Sequence, residues 1–300
     1  MSAHWATRVE GGSLRALRLL LRLVLLLGPR LSAMLLLPPV TAWYLASSAD
    51  ARAASRDFLS RVRGRPAGLA GVARHLHAFA SAILDRVFFL ARRTRSFDIR
   101  VEGLDHVERI LERGAGCIML GAHLGSFEVL RSLGRQAPVT VHPVMYRRNS
   151  GALTAVLDTL APDLSANIIE IGETDSMLKA KEALERGEIV GLLADRSPQG
   201  ERTIPVPFLG SPAPFPVGPF ILAAALGAPV VLFFGLRTGA RRYTIRFEAF
   251  QDRIVLRRAT READLATIIA TYASRVEDIC RAHPYDWFNF FPFWEIGGNA

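Results

Sequence analysis

Short apolar runs of strand length recur along the middle and end of the chain: "GCIMLGA" from Gly116, "VTVHPVMY" from Val139, "NIIEIG" from Asn167, "IVGLLAD" from Ile189 and "PVVLFFGLR" from Pro229. Between them lie segments with helical periodicity, at Ser126 to Arg135, Ala152 to Leu160, Ser176 to Arg186 and Phe220 to Leu226. Strands that are apolar along their whole length are buried on both faces, and alternation with helices supplies the layers that bury them. The expected fold is therefore α/β, with a mixed, largely parallel central sheet flanked by helices. "YTIRFEAF" (Tyr243 to Phe250) alternates polar and apolar residues and suits a late antiparallel edge strand, and Glu262 to Cys280 reads as a closing helix.

What precedes the sheet is different in kind. Arg15, Arg18 and Arg22 fall at helical spacing among leucines, the pattern of a basic amphipathic helix, until Gly28 and Pro29 interrupt it. Leu31 to Ala49 then carries no charge, close to the roughly 20 residues a spanning helix needs, but Pro38 and Pro39 divide it. Arginines flank the apolar stretch on both sides, from Arg15 to Arg30 and from Arg52 to Arg63, so charge gives no orientation across a bilayer. That balance favours a segment that dips into the cytoplasmic leaflet of an inner membrane and returns, peripheral or monotopic; a buried helical hairpin capping the domain is the alternative. We divide the chain into an N-terminal membrane-associating helical segment, residues 1–50, and a domain over residues 51–300. Within the latter, "RVRGRPAGLAG" is a linker or turn, and Val72 to Arg95 reads as one long helix.

Half the residues are hydrophobic although 37 are Lys or Arg, which fits a folded protein that also touches lipid. The formal charge of +9 points to an anionic partner: phospholipid head groups, an acidic carrier protein or nucleic acid. Finger spacing, a helix-turn-helix pattern and aromatic-interleaved strands are all missing from the sequence, so nucleic acid is not expected. Cys117 and Cys280 sit in a strand-like and a helix-like apolar run and read as reduced core residues. His75 and His77 lack companion cysteines or acids, so they read as core or surface histidines, and neither a metal nor a cofactor is expected.

Catalytic groups in such sheets gather at the carboxyl ends of strands. The first apolar run leads there into "GAHLGSFEVLRSLG", with His123 just past the strand, Gly125 permitting a sharp turn, Ser126 suited to capping and Glu128 in the first helical turn. On one helix, a His and an acid five positions apart would diverge by roughly 140°. They meet only if the His lies on the entering loop and the acid inside the helix. A carboxylate on one imidazole nitrogen fixes the tautomer and leaves the other nitrogen to take a proton from an attacking hydroxyl or amine. The bland alternative is a loop histidine beside an acid that favours the helix dipole. Ser126 lacks the G-x-S-x-G elbow of a nucleophile and reads as a cap.

"GAHLGSFEVLR", "MYRRNS", "LLADRSPQG", "VPFLGSPAPFPVGPFILAAALGAPVV" and "HPYDWFNFFPFW", in this order, resemble the blocks of the bacterial lipid A biosynthesis (late) acyltransferase family, within the wider lysophospholipid acyltransferase superfamily. The resemblance covers nearly the whole chain and implies a glycerol-phosphate acyltransferase-like fold. It matches His123 to a catalytic base and Glu128 to its acidic partner. It matches Arg147 to a basic residue near the acceptor or the thioester oxygen, and Asp195 to the acid of a block usually read Asp-Gln, where Arg196 here replaces the Gln. Phe208, Gly210, Pro212 and Ala213 match a block lining the substrate cleft, and Gly218 a small residue after it.

Read from their own chemistry, Arg147 and Arg148 form a fork for a phosphate or carboxylate, or a solvated surface pair. Asp195, at a strand end, orients Arg147 or His123 or caps a turn. The run from Val206 to Pro219 carries too many prolines for a central strand and reads as a stiffened loop, apolar enough for an acyl chain. The resemblance implies transfer of a fatty acyl group from an acyl carrier protein, or less readily from a coenzyme A thioester, to a hydroxyl or amine of a lipid, glycolipid or polyene-type acceptor. A lipid or thioester hydrolase using the same His-Glu pair, and a non-catalytic membrane-binding protein, are the competing readings. The substituted Asp-Gln block marks a divergent branch.

Overall fold

A computed structural model of the chain describes residues 14–135, 140–145, 159–162, 166–196 and 201–295. The strands in chain order are β1 (Asp98–Glu102), β2 (Cys117–Gly125), β3 (Val141–Met145), β4 (Ile169–Glu170), β5 (Ile189–Leu193), β6 (Thr203–Phe208), β7 (Ser211–Pro216), β8 (Val230–Gly239) and β9 (Arg242–Gln251). The α-helices are α1 (Leu14–Ser47), α2 (Ala49–Arg63), α3 (Leu69–Leu90), α4 (Leu104–Leu111), α5 (Ser176–Glu185), α6 (Gly218–Leu226) and α7 (Arg261–Ala282). The expected mixed sheet is present, in the order β1-β9-β8-β2-β5-β3-β4. Every neighbouring pair in it is parallel except the β8–β9 hairpin.

The fully apolar runs occupy the middle of this sheet because both faces are covered. From β2, Ile118 and Leu120 point into a cluster with Phe58 and Leu59 of α2, Phe220 of α6 and Tyr272 of α7. Cys117 and Met119 point the other way, into a cluster with Phe88 and Phe89 of α3 and Val24 of α1. Cys117 and Cys280 are buried free thiols. Tyr272 donates its hydroxyl to the Gly121 carbonyl (2.6 Å), pinning α7 to the centre of β2.

Three local expectations are corrected. β9 is not an edge strand: β1, which the apolar pattern does not single out, pairs along its outer side. The proline-rich run is not a loop but a two-stranded antiparallel ribbon, β6–β7, apart from the main sheet. Its prolines tolerate pairing because they face one another across the ribbon, Pro205 with Pro214 and Pro207 with Pro212, at alternate positions where ladder N–H groups are not needed. The residues between them, Val206, Phe208, Ala213 and Phe215, point into the core. Third, Pro38 and Pro39 do not divide α1, which stays helical through both; its single break is at Gly28, with φ 76° and ψ 171°.

That break is well compensated. Pro29 has no N–H for the Leu25 carbonyl, and Arg93 donates to it instead (2.6 Å). Ser32 donates to the Val24 carbonyl (3.1 Å). α1 lies against α3 and exposes Leu19, Leu20, Leu23, Leu26, Leu27, Leu31, Met34, Leu35, Val40 and Trp43 on its outer side. From Leu17 to Ser47 it is long and apolar enough to cross a membrane, and only 11% of its most apolar window is buried in the protein. One such helix is a candidate membrane segment.

Candidate active site

The site forms where two parallel strands end side by side. β2 pairs with β5 in a register that sets Gly121 against Leu193, and the Ala194 N–H bonds to the Gly121 carbonyl (2.9 Å). Two residues further along each chain stand His123 and Asp195. The pleat turns both to the same face. His123 Nδ1 lies 2.7 Å from Asp195 Oδ1, and the His123 backbone N–H donates to Asp195 Oδ2 (3.0 Å).

The backbone here is forced into place by glycine. Gly125 has φ +61°, and a β-carbon on it would collide with the Gly235 carbonyl of β8; one on Gly235 would collide with the Ser126 carbonyl. The β2–β8 register shifts between Gly121 and Gly125, so β2 is displaced as it passes His123. On its other side, the C-terminal segment locks the turn. Phe288 N–H donates to the His123 carbonyl (2.9 Å), Gly125 N–H donates to the Asp286 carbonyl (2.8 Å), and Leu124 bridges Trp287 in antiparallel sense.

Asp195 is fully buried yet fully bonded. Besides the two bonds from His123, its Oδ2 accepts from Trp287 Nε1 and Asn289 Nδ2, each at 2.9 Å. Burial alone would push its pKa up, but the charge and hydrogen bonds of His123, with the Arg196 guanidinium, hold it below the usual carboxylate range. Arg196 is half-buried, donating to the Asn289 side-chain oxygen and the Phe288 carbonyl, and desolvation brings its pKa down to about 10. His123 is held below its ordinary value, first by burial and then by Arg196, against the pull of Asp195 and Glu128. The imidazole is thus neutral near pH 7. With Nδ1 engaged by Asp195, Nε2 is the nitrogen available as a base.

The structure does not bring Glu128 to the imidazole. Glu128 Oε1 lies 2.6 Å from Arg86 Nε of α3, and Glu128 Oε2 accepts from Ser126 Oγ (3.0 Å). Phe127–Arg135 is a 3-10 helix, tighter than the expected α-helix, and Ser126 is buried as a partner of Glu128 instead of capping a helix. Of the two acids considered for His123, the one in contact is Asp195.

His123, Glu128, Arg86 and Arg196 share the wall of a cavity of about 560 Å³. Glu173, Thr174, Ser176 and Glu201 add polar groups to its wall, and most of the remainder is apolar, among it Phe127, Val144, Ile169, Leu192 and Leu222. Gly218, at the start of α6, is part of its wall. Phe208, Gly210 and Pro212 do not. Phe208 is buried against Trp287, Phe293 and Trp294; Gly210, with φ 83°, makes the β6–β7 turn; Pro212 faces solvent. Arg147 and Arg148 lie outside the described residues, as does most of the helical pattern at Ala152 to Leu160. Among the described residues there is no cluster of His, Cys, Asp or Glu able to hold a metal ion.

Sequence reasoning did not single out Arg86, Trp287 or Asn289. The last two lie in "HPYDWFNFFPFW", an aromatic run whose one Asn between Phe residues was a signal that a buried polar group needed a partner. Arg86 gave no signal, since its link to Glu128 exists only once α3 packs beneath the 3-10 helix.

Phosphatidylinositol mannoside acyltransferases from two Mycobacterium tuberculosis strains, H37Rv and CDC 1551, are each 27% identical to the chain over 206 residues, which is 67% of this chain and 61% of theirs. The chain thus spans about three-fifths of the length of these relatives. Residues 70–295, from α3 to the aromatic segment beyond α7, match the family described as bacterial lipid A biosynthesis acyltransferase, and the chain belongs to that family.

Proposed function

We propose that this protein transfers a fatty acyl group from a thioester to a hydroxyl or amine of a lipid or glycolipid. The observation that carries the reading is His123, oriented by a buried Asp195, opening onto a largely apolar cavity of about 560 Å³. The cavity is suited to the acyl chain. His123 Nε2 takes the proton of the acceptor hydroxyl or amine as its oxygen or nitrogen attacks the thioester carbonyl carbon. The tetrahedral oxyanion forms beside the Arg196 and Arg86 guanidinium groups, and collapses by breaking the C–S bond. The imidazolium, stabilised by Asp195, returns the proton to the departing thiolate. Glu128 acts from the same wall, holding Arg86 and adding negative charge near the imidazolium.

The net charge of +9 suits an acidic acyl carrier protein as the donor, with a coenzyme A thioester as the alternative, and the mycobacterial relatives, phosphatidylinositol mannoside acyltransferases, make a glycolipid the first acceptor to try. The exposed apolar side of α1 supports attachment to the cytoplasmic face of the inner membrane, peripheral or monotopic, with residues 1–50 as the membrane segment and residues 51–300 as the catalytic domain. The test is to incubate purified protein with radiolabelled acyl carrier protein, or acyl coenzyme A, and total membrane lipids. Label should appear in a lipid. Label released as free fatty acid, with or without lipid, would replace transferase by hydrolase.

A further inference from the structure

The mechanism makes no use of His75, yet it is among the few fully buried polar side chains and every polar atom of its ring is engaged. His75 Nε2 lies 2.8 Å from the Trp287 carbonyl oxygen, and His75 Nδ1 lies 2.9 Å from Ser55 Oγ of α2. A carbonyl only accepts, so Nε2 carries the proton and Nδ1 accepts from the Ser55 hydroxyl. The same Trp287 whose carbonyl is gripped by His75 donates its indole N–H to Asp195, and its neighbour Phe288 donates to the His123 carbonyl. Phe58, Phe288 and Phe290 pack around the His75 ring. Burial lowers its pKa to about 4, so it stays a neutral donor.

Building on the reading of His123 as the base, we propose that His75, itself held by Ser55, is a positioning residue for acyl transfer, acting through Trp287 and Asp195 to fix the His123 imidazole. A hydrophobic residue would fill the same space more cheaply than a desolvated imidazole with two satisfied nitrogens. What a hydrophobic residue would not do is hold the Trp287 backbone so that the indole meets Asp195. The groups whose charge reaches His123 are Asp195, Glu128 and Arg196, and His75 touches none of them directly.

The test reads the base itself. In full-length protein in detergent micelles, the His123 ring carbon is followed by NMR as pH is varied, for wild type, His75→Leu, His75→Gln and the milder Ser55→Ala. Gln keeps a donor for the Trp287 carbonyl; Leu does not. With one donor to Asp195 weakened, the carboxylate charge is less shared and favours imidazolium, so His75→Leu should raise the His123 titration by about half a unit or more. His75→Gln should return most of that shift, and Ser55→Ala should move it less in the same direction. Acyl transfer per folded molecule should fall about tenfold in His75→Leu, in kcat and not in KM. If the His123 titration and kcat are unchanged in every folded variant, including Ser55→Ala, His75 is packing alone. Should transfer persist in His123→Ala, the base assignment fails instead, and the NMR titration still reports whether His75 governs the imidazole.

Discussion

Replacing Asp195 by Asn separates the two acids that compete for His123. The carboxylate receives one donor on Oδ1, the imidazole Nδ1–H, and three on Oδ2, from the His123 backbone, Trp287 and Asn289. An Asn must turn its NH2 toward one side or the other. Facing Oδ2's partners, it would oppose three buried donors, each mismatch costing about 1–3 kcal/mol. Facing the imidazole, it opposes one, so it adopts that orientation and donates to Nδ1. The histidine then holds its proton on Nε2 and is no longer a base. Loss of a carboxylate in the equivalent position of a serine protease triad costs about 10⁴-fold, and we expect a fall here of about 10²- to 10⁴-fold in kcat, or about 3–5 kcal/mol of transition-state stabilisation. KM should change little, because Asp195 does not line the cavity. Steady-state transfer from a labelled thioester, on protein shown to be folded by near-UV circular dichroism, measures this. A folded Asp195→Asn enzyme within threefold of wild type (roughly 0.6 kcal/mol), with Glu128→Gln strongly impaired, would refute the assignment and return the orienting role to Glu128.

The other structural claims carry their own checks. A β-carbon at Gly191, on the cavity wall, would stand 3.1 Å from the Phe127 ring and 3.7 Å from Val141, so Gly191→Val should narrow the cavity and shift preference toward shorter acyl donors, read as the ratio of kcat/KM for long and short chains. Leu26, Met34 and Trp43 are 82%, 66% and 63% exposed on α1, and replacing all three by Glu should weaken liposome binding by about tenfold or more without unfolding the protein; unchanged co-sedimentation would show that another surface holds the membrane. His75 titrates near 4 in the folded protein against an ordinary 6.5. Above pH 6.5 it is neutral in both states; as pH falls from there toward 4 only the unfolded chain gains the proton, so its burial costs up to about 3 kcal/mol. Asp85, raised to about 6, and Asp286, raised to about 7, have the opposite sign, favouring the folded state as pH falls through their range. These cancel in a comparison, so His75→Gln should gain stability relative to wild type as pH drops from 7 to 4.5, by denaturant titration; a difference independent of pH would contradict the buried neutral imidazole.

The sheet was legible in the sequence because β2, β5 and β8 are apolar on both faces, a pattern that only a covered parallel strand explains. β1 was not, since "DIRVE" exposes alternate residues and its partner β9 lies some 140 positions later, Asp98 pairing with Arg242. The β6–β7 ribbon escaped because proline argues against a strand unless its partner is known, and here four of the five prolines meet one another in pairs. Within the site, His123 and Asp195 were both visible at strand ends, but their contact depends on β2 and β5 being neighbours in register, which chain order does not reveal. Glu128 drew attention by being close in sequence, and the displacement of β2 around Gly125 turns it toward Arg86. Trp287 and Asn289 reach Asp195 from about 90 residues away, so the aromatic run around Asn289 signals a buried polar group but not which partner it meets.

The central claim is that His123 is the base for acyl transfer, and the most direct measurement is the turnover of folded His123→Ala with a labelled acyl thioester and a membrane lipid acceptor. General-base catalysis contributes about 10²- to 10⁴-fold, so transfer should fall by that factor while the fold and the thioester KM persist. Combining His123→Ala with Asp195→Asn should add little, since the two act as one unit. Wild-type turnover by a folded His123→Ala protein would contradict the account and move the search for the base to another wall of the cavity.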